Sequence, residues 1–299
     1  MRAGNDSEAF LKLVLKSYFR IMNQSQRLSA TQLPFVLFQI QGGLYAVSAE
    51  NVREIVQLPP VSIVPDLPPE IRGVINLRGK VMPLVDLRVK LGLTSAQQEL
   101  EVLLQLLRDR EQDHLNWLTE LERCVREQQP FQLARDPHQC RFGLWYDQFK
   151  TNNSLLRMAL QKMNEPHQRI HATADQVLQL CDQGNQAAAL ELLTDRREHE
   201  LAQLIGLFDE VRRLLQEQNR EQVVVLSRGD KRFAITMDQV EAVERIPEEN
   251  IEPMPAALAL QGEKLPWRVG KRQRTSQTIL LLDEDYLFFS GASLPAAVG

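Results

Sequence analysis

The chain has 299 residues, of which 43% are hydrophobic and 25% are charged, and its formal net charge is −4. This length and composition are typical of a globular protein with two domains, and no uncharged apolar run approaches the roughly 18 residues that a membrane span needs. The negative charge argues against binding to nucleic acid, which depends on a concentrated basic surface, and three cysteines without paired spacing argue against a disulfide framework.

Residues 1–30 are predicted to contain an amphipathic helix. Its apolar face would carry Leu11, Val14, Leu15, Tyr18 and Met22, opposite Lys12, Lys16 and Arg20. We expect this helix to pack onto the rest of the protein and not to enter a membrane. Because the basic residues interrupt the apolar core that a signal peptide needs, we expect a cytoplasmic protein.

Two β-rich stretches of the chain repeat each other. LYAVSAENVREI (44–55) aligns without gaps to RFAITMDQVEAV (232–243), at an offset of 188 residues. Each copy has a strand, a glycine-containing turn and a second strand, and each closes with a strand that ends at an aspartate, Asp86 or Asp283. The pattern predicts two small β-barrels, one per copy, within 31–96 and 222–292, followed by a tail over 293–299.

The segment 97–221 between the copies has a different composition. It is rich in Leu, Glu, Gln and Arg at helical spacing, and its net charge is −6, against +2 for the remainder. These shifts mark domain boundaries and indicate that a helical domain interrupts the β domain.

Four residues of this helical segment have the chemistry of zinc ligands. His114 lies in the apolar stripe of one helix, and His167 and His171 are one turn apart on another, which Pro166 is predicted to begin. Cys140 opens the sequence CRFGLWY. Three His and one Cys suit a tetrahedral Zn²⁺, although buried histidines without a metal are the alternative.

The other cysteines and histidines are weaker candidates. Cys124 and Cys181 are each ten residues from the histidine of their own helix, roughly 15 Å away, too far to share its metal. We expect both to be small core residues. His138 could support the site from outside, and His199 has no obvious companion.

The β-rich parts resemble a known family. IRGVINLRGKVMPLVDL (71–87) is similar to the signature segment of the CheW family, the adaptors that link chemoreceptors to the histidine kinase CheA. The resemblance covers about 33–95 and, more weakly, 222–290. It implies two SH3-like five-stranded β-barrels and no enzymatic activity.

The same resemblance implies a receptor or kinase contact at Asn76 and Arg78. The residues 76–79 are predicted to form a turn between two strands, with a positive φ angle at Gly79. The alternative to a partner contact is that Arg78 donates hydrogen bonds to nearby carbonyls of its own chain. Asp86 is predicted to cap a short helix over 87–91. The basic cluster Arg268, Lys271, Arg272 and Arg274 reads as a solvated loop or as a contact for an acidic partner.

The insert resembles a second family. His114 with Trp117, DPHQCRFGLWY (136–146) and EPHQRIH (165–171) together resemble the chemoreceptor zinc-binding (CZB) domain. This implies a four-helix bundle that holds zinc through His114, Cys140, His167 and His171, with Cys140 sensitive to hypochlorous-type oxidants. It also leaves open a homodimer through the insert.

The overall prediction is an α+β multidomain scaffold that couples the cytoplasmic tip of a chemoreceptor to a CheA-type kinase and carries a zinc or redox sensor. Two alternatives keep the scaffold: a purely structural zinc, or service in a pathway for surface growth or a second messenger. A zinc hydrolase would need an open metal position and a carboxylate base, and the sequence has no HExxH motif, phosphate loop or Ser/His/Asp arrangement.

Overall fold

The computed structural model describes residues 32–151, 153–218, 221–255, 267–272, 275, 277–283 and 286–287. The helix predicted within 1–30 and the tail 293–299 lie outside these residues. The chain divides into two compact units, one made of residues 1–96 and 220–299 and the other of Gln97–Asn219. Within the described ranges, no helix is both long enough and apolar enough to cross a membrane.

The first unit is built from strands. They are β1 (Gln32–Ile40), β2 (Gly43–Ser48), β3 (Val52–Gln57), β4 (Val61–Ser62), β5 (Ile71–Leu77), β6 (Lys80–Val85), β7 (Gln222–Arg228), β8 (Lys231–Met237), β9 (Gln239–Pro247), β10 (Ile251–Pro253), β11 (Trp267–Lys271) and β12 (Thr278–Leu282). A short helix α1 (Leu87–Lys90) follows β6, and Asp86 caps it as predicted by accepting a hydrogen bond from the Val89 amide.

The repeat in the sequence corresponds to a repeat in the core. The matched pairs Val36/Val224, Val47/Ile235, Val52/Val240 and Ile55/Val243 are all buried in one hydrophobic cluster. The two copies therefore bury the same positions, and removing this apolar surface from water is a main source of the unit's stability.

The strands are shared between the copies. One sheet has the order β10-β11-β12-β2-β1-β9 and the other has the order β3-β7-β8-β6-β5-β4. The closing strand of each copy lies parallel to the second strand of the other, β12 beside β2 and β6 beside β8. The two SH3-like halves are present, each with a sheet of six described strands, but each half draws strands from both copies, so the prediction of one barrel per copy is wrong. The first hairpin of each copy joins the later strands of the other copy, a choice that apolar alternation within a strand does not reveal.

The second unit is helical. Its elements are α2 (Ala96–Glu127), α3 (Arg141–Gln148), α4 (Ser154–Asp182) and a continuous run of α5 (Gln186–Arg196), a π-helical turn (Arg197–Leu201) and α6 (Ala202–Gln218). Counted with that run as one helix, these are the four helices expected. Their apolar stripes meet in a single core that includes Leu118, Phe142 and Phe208.

The helix boundaries have local causes. Asn153 and Asn185 are N-caps whose side chains accept hydrogen bonds from the amides of Leu156 and Ala188. Gly184, with a φ angle of 75°, separates α4 from α5.

Pro166 does not begin a helix, contrary to expectation, because α4 starts twelve residues earlier at Ser154. Upstream of the proline, Leu156, Ala159, Leu160 and Met163 are buried at helical spacing. Burying four apolar side chains outweighs the roughly 3 kcal/mol that an interior proline costs.

Candidate metal centre

The four predicted zinc ligands lie together in the core of the helical unit. One donor atom from each of His114, Cys140, His167 and His171 can be chosen so that all four lie within 4.8 Å of one another. Cys140 Sγ lies 3.2 Å from Nε2 of His167. The side chains come from α2, from the residue that precedes α3 and from two successive turns of α4. Tertiary packing therefore brings together residues that are up to 57 positions apart in the sequence.

Backbone carbonyls fix the orientation of two of the rings. His114 Nδ1 lies 2.7 Å from the carbonyl oxygen of Arg110, and His171 Nδ1 lies 3.2 Å from that of Ala134. A carbonyl only accepts, so each Nδ1 carries the proton and each Nε2 is left with a free lone pair. Both Nε2 atoms are buried and have no hydrogen-bond partner. Buried unpaired acceptors are costly, and they are what metal-ligating imidazoles present before a metal is bound.

Cys140 is held at the start of a helix. It is the N-cap of α3, and its Sγ accepts a hydrogen bond from the Gly143 amide at 3.2 Å. Amide donors and the positive end of a helix favour a thiolate. Position 143 has to be glycine, because a Cβ there would lie 1.9 Å from the carbonyl oxygen of Pro137.

The surroundings keep the histidines neutral. Phe142 packs edge-on against His167 at 4.9 Å between ring centroids and against His114 at 5.6 Å. Burial, followed by the proximity of His114, lowers the pKa of His167 to about 2 and that of His171 to about 4. Burial also lowers the pKa of His114. Neutral imidazoles bind a metal without first losing a proton.

Burial also favours the neutral form of the Cys140 thiol in the metal-free protein. Burial raises the pKa of Cys140, while the amides of Gly143 and Phe142 act to lower it. A positive ion at this point would supply the charge that the buried thiolate lacks.

A cavity of about 350 Å³ reaches the cluster. Three of the four donors, His114, Cys140 and His171, line it, together with the polar side chains of Asp113 and Gln139. Small solutes therefore have a route to Cys140 that does not require the bundle to open.

The donor set fits Zn²⁺. Three imidazoles and one thiolate are ligands that tetrahedral zinc takes, and the two orphaned Nε2 atoms are otherwise unexplained in an apolar core. Four protein donors leave no open position of the kind that catalytic zinc keeps.

The remaining histidines are outside the cluster. His138 is exposed and bonds Asp147 at 2.9 Å, so the structure gives no sign of the supporting role suggested for it. His199 is exposed and its Nδ1 bonds the carbonyl of Asp195. The actual supporting groups are the backbone carbonyls of Arg110 and Ala134, which sequence reasoning missed because a carbonyl is present at every residue.

The predicted partner contact lies on a tight turn of the β unit. Arg78 and Gly79 both have positive φ angles, 52° and 79°, between β5 and β6, and the Asn76 side chain accepts a hydrogen bond from the Gly79 amide. The Arg78 side chain is 79% exposed, and its Nη2 lies 3.2 Å from Oε2 of Glu54. The turn therefore presents Arg78 to solvent, and Asn76 stabilises the turn.

The basic cluster near the end of the chain is split. Arg272 forms ion pairs with Glu241 and Glu244 and is only 16% exposed, so the expectation of a solvated loop is wrong at this residue. Arg268 and Lys271 are exposed on β11. Arg274 lies outside the described residues.

Comparisons with known proteins agree with this architecture. The profile of the CheW-like domain matches residues 34–113 and 199–290, together more than half of the chain, and that of the chemoreceptor zinc-binding domain matches 114–178. The chemotaxis protein CheW of Helicobacter pylori is 38% identical over 80 residues, which are 27% of this chain and 48% of that protein. The CheW of Bacillus subtilis is 43% identical over 58 residues, 19% of this chain and 37% of that protein. The chain thus spans about half or less of these curated relatives.

Among solved structures, the scaffolding protein TtCheW from Thermoanaerobacter tengcongensis is similar, with a TM-score of 0.41 and 13% identity over 88% of this chain and 92% of that one. The match to the chemoreceptor zinc-binding domain identifies zinc as the cofactor, and the four candidate ligands lie within the matched residues. The chain belongs to the CheW-like family and carries a chemoreceptor zinc-binding domain between the two parts of its CheW-like domain.

Proposed function

We propose that this protein is a non-catalytic coupling scaffold between the cytoplasmic tips of chemoreceptors and a CheA-type histidine kinase, and that its insert, residues 97–221, senses oxidants at a zinc site. The observation that carries the proposal is the convergence of His114, Cys140, His167 and His171 inside a domain that interrupts a CheW-like fold.

The ligand assignment rests on the environment of the donors. Two Nε2 atoms are buried without partners, and Cys140 Sγ lies within 3.2 Å of Nε2 of His167. When bound, zinc would hold these donors as a closed structural site with a nucleophilic thiolate.

Cys140 is the proposed oxidant target. The cavity that it lines admits a small neutral molecule such as hypochlorous acid, and the Gly143 amide stabilises charge on its sulfur. The thiolate takes the oxygen of hypochlorous acid to form a sulfenic acid and releases chloride. A sulfenic acid is a poor metal donor, so we expect the contact between α3 and the two long helices to loosen.

The connections between the units support a route from sensor to scaffold. Five residues join α1 to α2, and three join α6 to β7. At the second junction, Glu221 pairs with Arg72 of β5, and its carbonyl accepts a hydrogen bond from the Leu58 amide at 2.9 Å. Glu221 is the first described residue after α6, so we propose that a movement of the insert reaches the β unit through the chain at this residue.

The partner surface is proposed at the turn of Asn76 and Arg78. Arg78→Glu should weaken binding to receptor or kinase, whereas the same reversal at the exposed Arg228 should not. Unchanged binding of Arg78→Glu would remove this turn from the interface.

A reconstituted assay tests the sensing function. Receptor-containing vesicles, the kinase and the zinc-loaded protein would be treated with hypochlorous acid, and kinase phosphorylation would be followed. We expect coupling to change with oxidation in the wild-type protein and in Cys124→Ala, and to be unresponsive in Cys140→Ala. Equal coupling before and after complete oxidation of Cys140 would leave a structural zinc. If the protein couples to a kinase of another pathway and not to a flagellar one, the scaffold function stands and the pathway that it serves is a different one.

A further inference from the structure

Two cysteines that the metal centre does not use share a second cavity. This cavity, about 610 Å³ in volume, lies at one end of the helical unit and is lined by Cys124 and Cys181. Their neighbours on its wall include Val125 of α2, Gln128 just after α2 and Leu178 of α4. One thiol thus comes from each of the two long helices.

Hydrogen bonds hold the two helix ends beside each other. Gln186, the first residue of α5, donates from Nε2 to the carbonyl of Val125 at 2.6 Å, and it follows Cys181 by only five residues. The Gln129 amide donates a hydrogen bond to the carbonyl of Cys124 at 2.9 Å. The chain around each thiol is therefore tied to the rim of the same cavity.

We propose that Cys124 and Cys181 are an oxidisable dithiol that closes into a disulfide between α2 and α4. Cys181 is half-buried and open to reagents, whereas Cys124 is 2% exposed, so the two have different roles. The sulfur of Cys181 attacks a peroxide, the O–O bond breaks, and a sulfenic acid and one water form. The sulfur of Cys124 then attacks that sulfenic sulfur, an S–S bond forms, and a second water leaves with the remaining thiol proton.

The fold allows the sulfurs to approach. Cys124 is three residues from the end of α2, and Cys181 is one residue from the end of α4. Helix ends open more readily than helix centres, and Gly184 follows with a positive φ angle. Burial raises the pKa of both thiols, so each has to lose its proton before its sulfur attacks.

The ring closed by this disulfide, residues 124–181, contains Cys140, His167 and His171. It would tie α2 to α4 around the metal centre without using any of the four donors. This inference is therefore independent of the proposed zinc and signalling function.

The test uses the full zinc-loaded chain treated with hydrogen peroxide, then alkylated under denaturing conditions, digested and measured by mass spectrometry. We expect a linked peptide pair containing Cys124 and Cys181, 2 Da lighter than the sum of the two reduced peptides and absent in Cys124→Ala and in Cys181→Ala. Diamide, applied in parallel, should give the same pair.

Three outcomes would overturn the proposal. One is that both thiols stay alkylatable at an oxidant dose that cross-links the urea-unfolded chain. Another is that Cys140 replaces either of them in the linked peptides. The third is that the link forms only between two chains, seen as a dimer on a non-reducing gel.

Discussion

Replacing Gly143 by alanine tests the architecture around Cys140 most sharply. The added Cβ would lie 1.9 Å from the carbonyl oxygen of Pro137 and 3.0 Å from the Cα of His138. Backbone atoms form this contact, so no side-chain rotation relieves it. An ordinary carbon–oxygen contact is longer by about 1.3 Å, and the loop that carries Cys140 has to move by a similar amount.

Such a movement is large for a metal site, which tolerates about 0.2 Å in its bond lengths. We expect Gly143→Ala to weaken zinc binding about 10- to 100-fold, as changes to supporting groups do, and to cost about 1–3 kcal/mol of stability from overpacking. Zinc affinity would be measured by competition with a chromogenic chelator, and stability by urea unfolding of the same preparations.

Gly206→Ala is the matched control. Gly206 is also helical, in α6, but an added Cβ there meets nothing within 4 Å. Alanine at this position should leave zinc affinity unchanged and stabilise the protein by about 0.5–1 kcal/mol. Wild-type zinc affinity in Gly143→Ala, or an equal loss in both variants, would refute the assignment of Gly143 as the support of Cys140.

Three further predictions concern stability. In the zinc-free protein the folded-state pKa values of His167 and His171, about 2 and about 4, lie below the unfolded value of 6.5. Both rings therefore make their full contribution to stability above pH 6.5. As the pH falls toward 4, the free energy of unfolding should drop by up to about 1.4 kcal/mol per pH unit for each ring, because only the unfolded chain takes up protons there. Equal urea midpoints at pH 7.5 and pH 5 would contradict the burial of the rings. Asn185→Ala should lower stability by about 1 kcal/mol because it removes the N-cap of α5, and a change below 0.3 kcal/mol would show that the cap is dispensable. Arg272→Met should cost about 1–2 kcal/mol because it leaves the half-buried Glu241 and Glu244 without their ion-pair partner, whereas the exposed Arg268→Met should stay within about 0.5 kcal/mol; equal thermal shifts would count against a stabilising role for these ion pairs.

The core of the fold could be predicted from the sequence because a buried position in one copy has an apolar counterpart in the other. Val36 and Val224, or Val52 and Val240, show this directly. The allocation of strands to sheets could not be predicted from the sequence, since the alternating apolar pattern of β2 is compatible with a place beside β6 or beside β12. That choice depends on pairing between residues more than 200 positions apart.

The metal cluster could be predicted because its donors are rare residue types at helical spacing. Its support could not, because the carbonyls of Arg110 and Ala134 have no signature in side-chain identity. Pro166 was misleading for a similar reason: a proline is common at a helix start, yet the buried residues before it decide where α4 begins.

The measurement that tests the central claim most directly is the zinc content of the purified full chain, beside Cys140→Ala and Cys124→Ala. Elemental analysis under non-chelating conditions should give about one zinc per chain in the wild type and in Cys124→Ala, and a sharp loss in Cys140→Ala. No zinc in the wild-type chain, or equal zinc in both variants, would contradict the assignment of Cys140 as a ligand and the sensing function built on it.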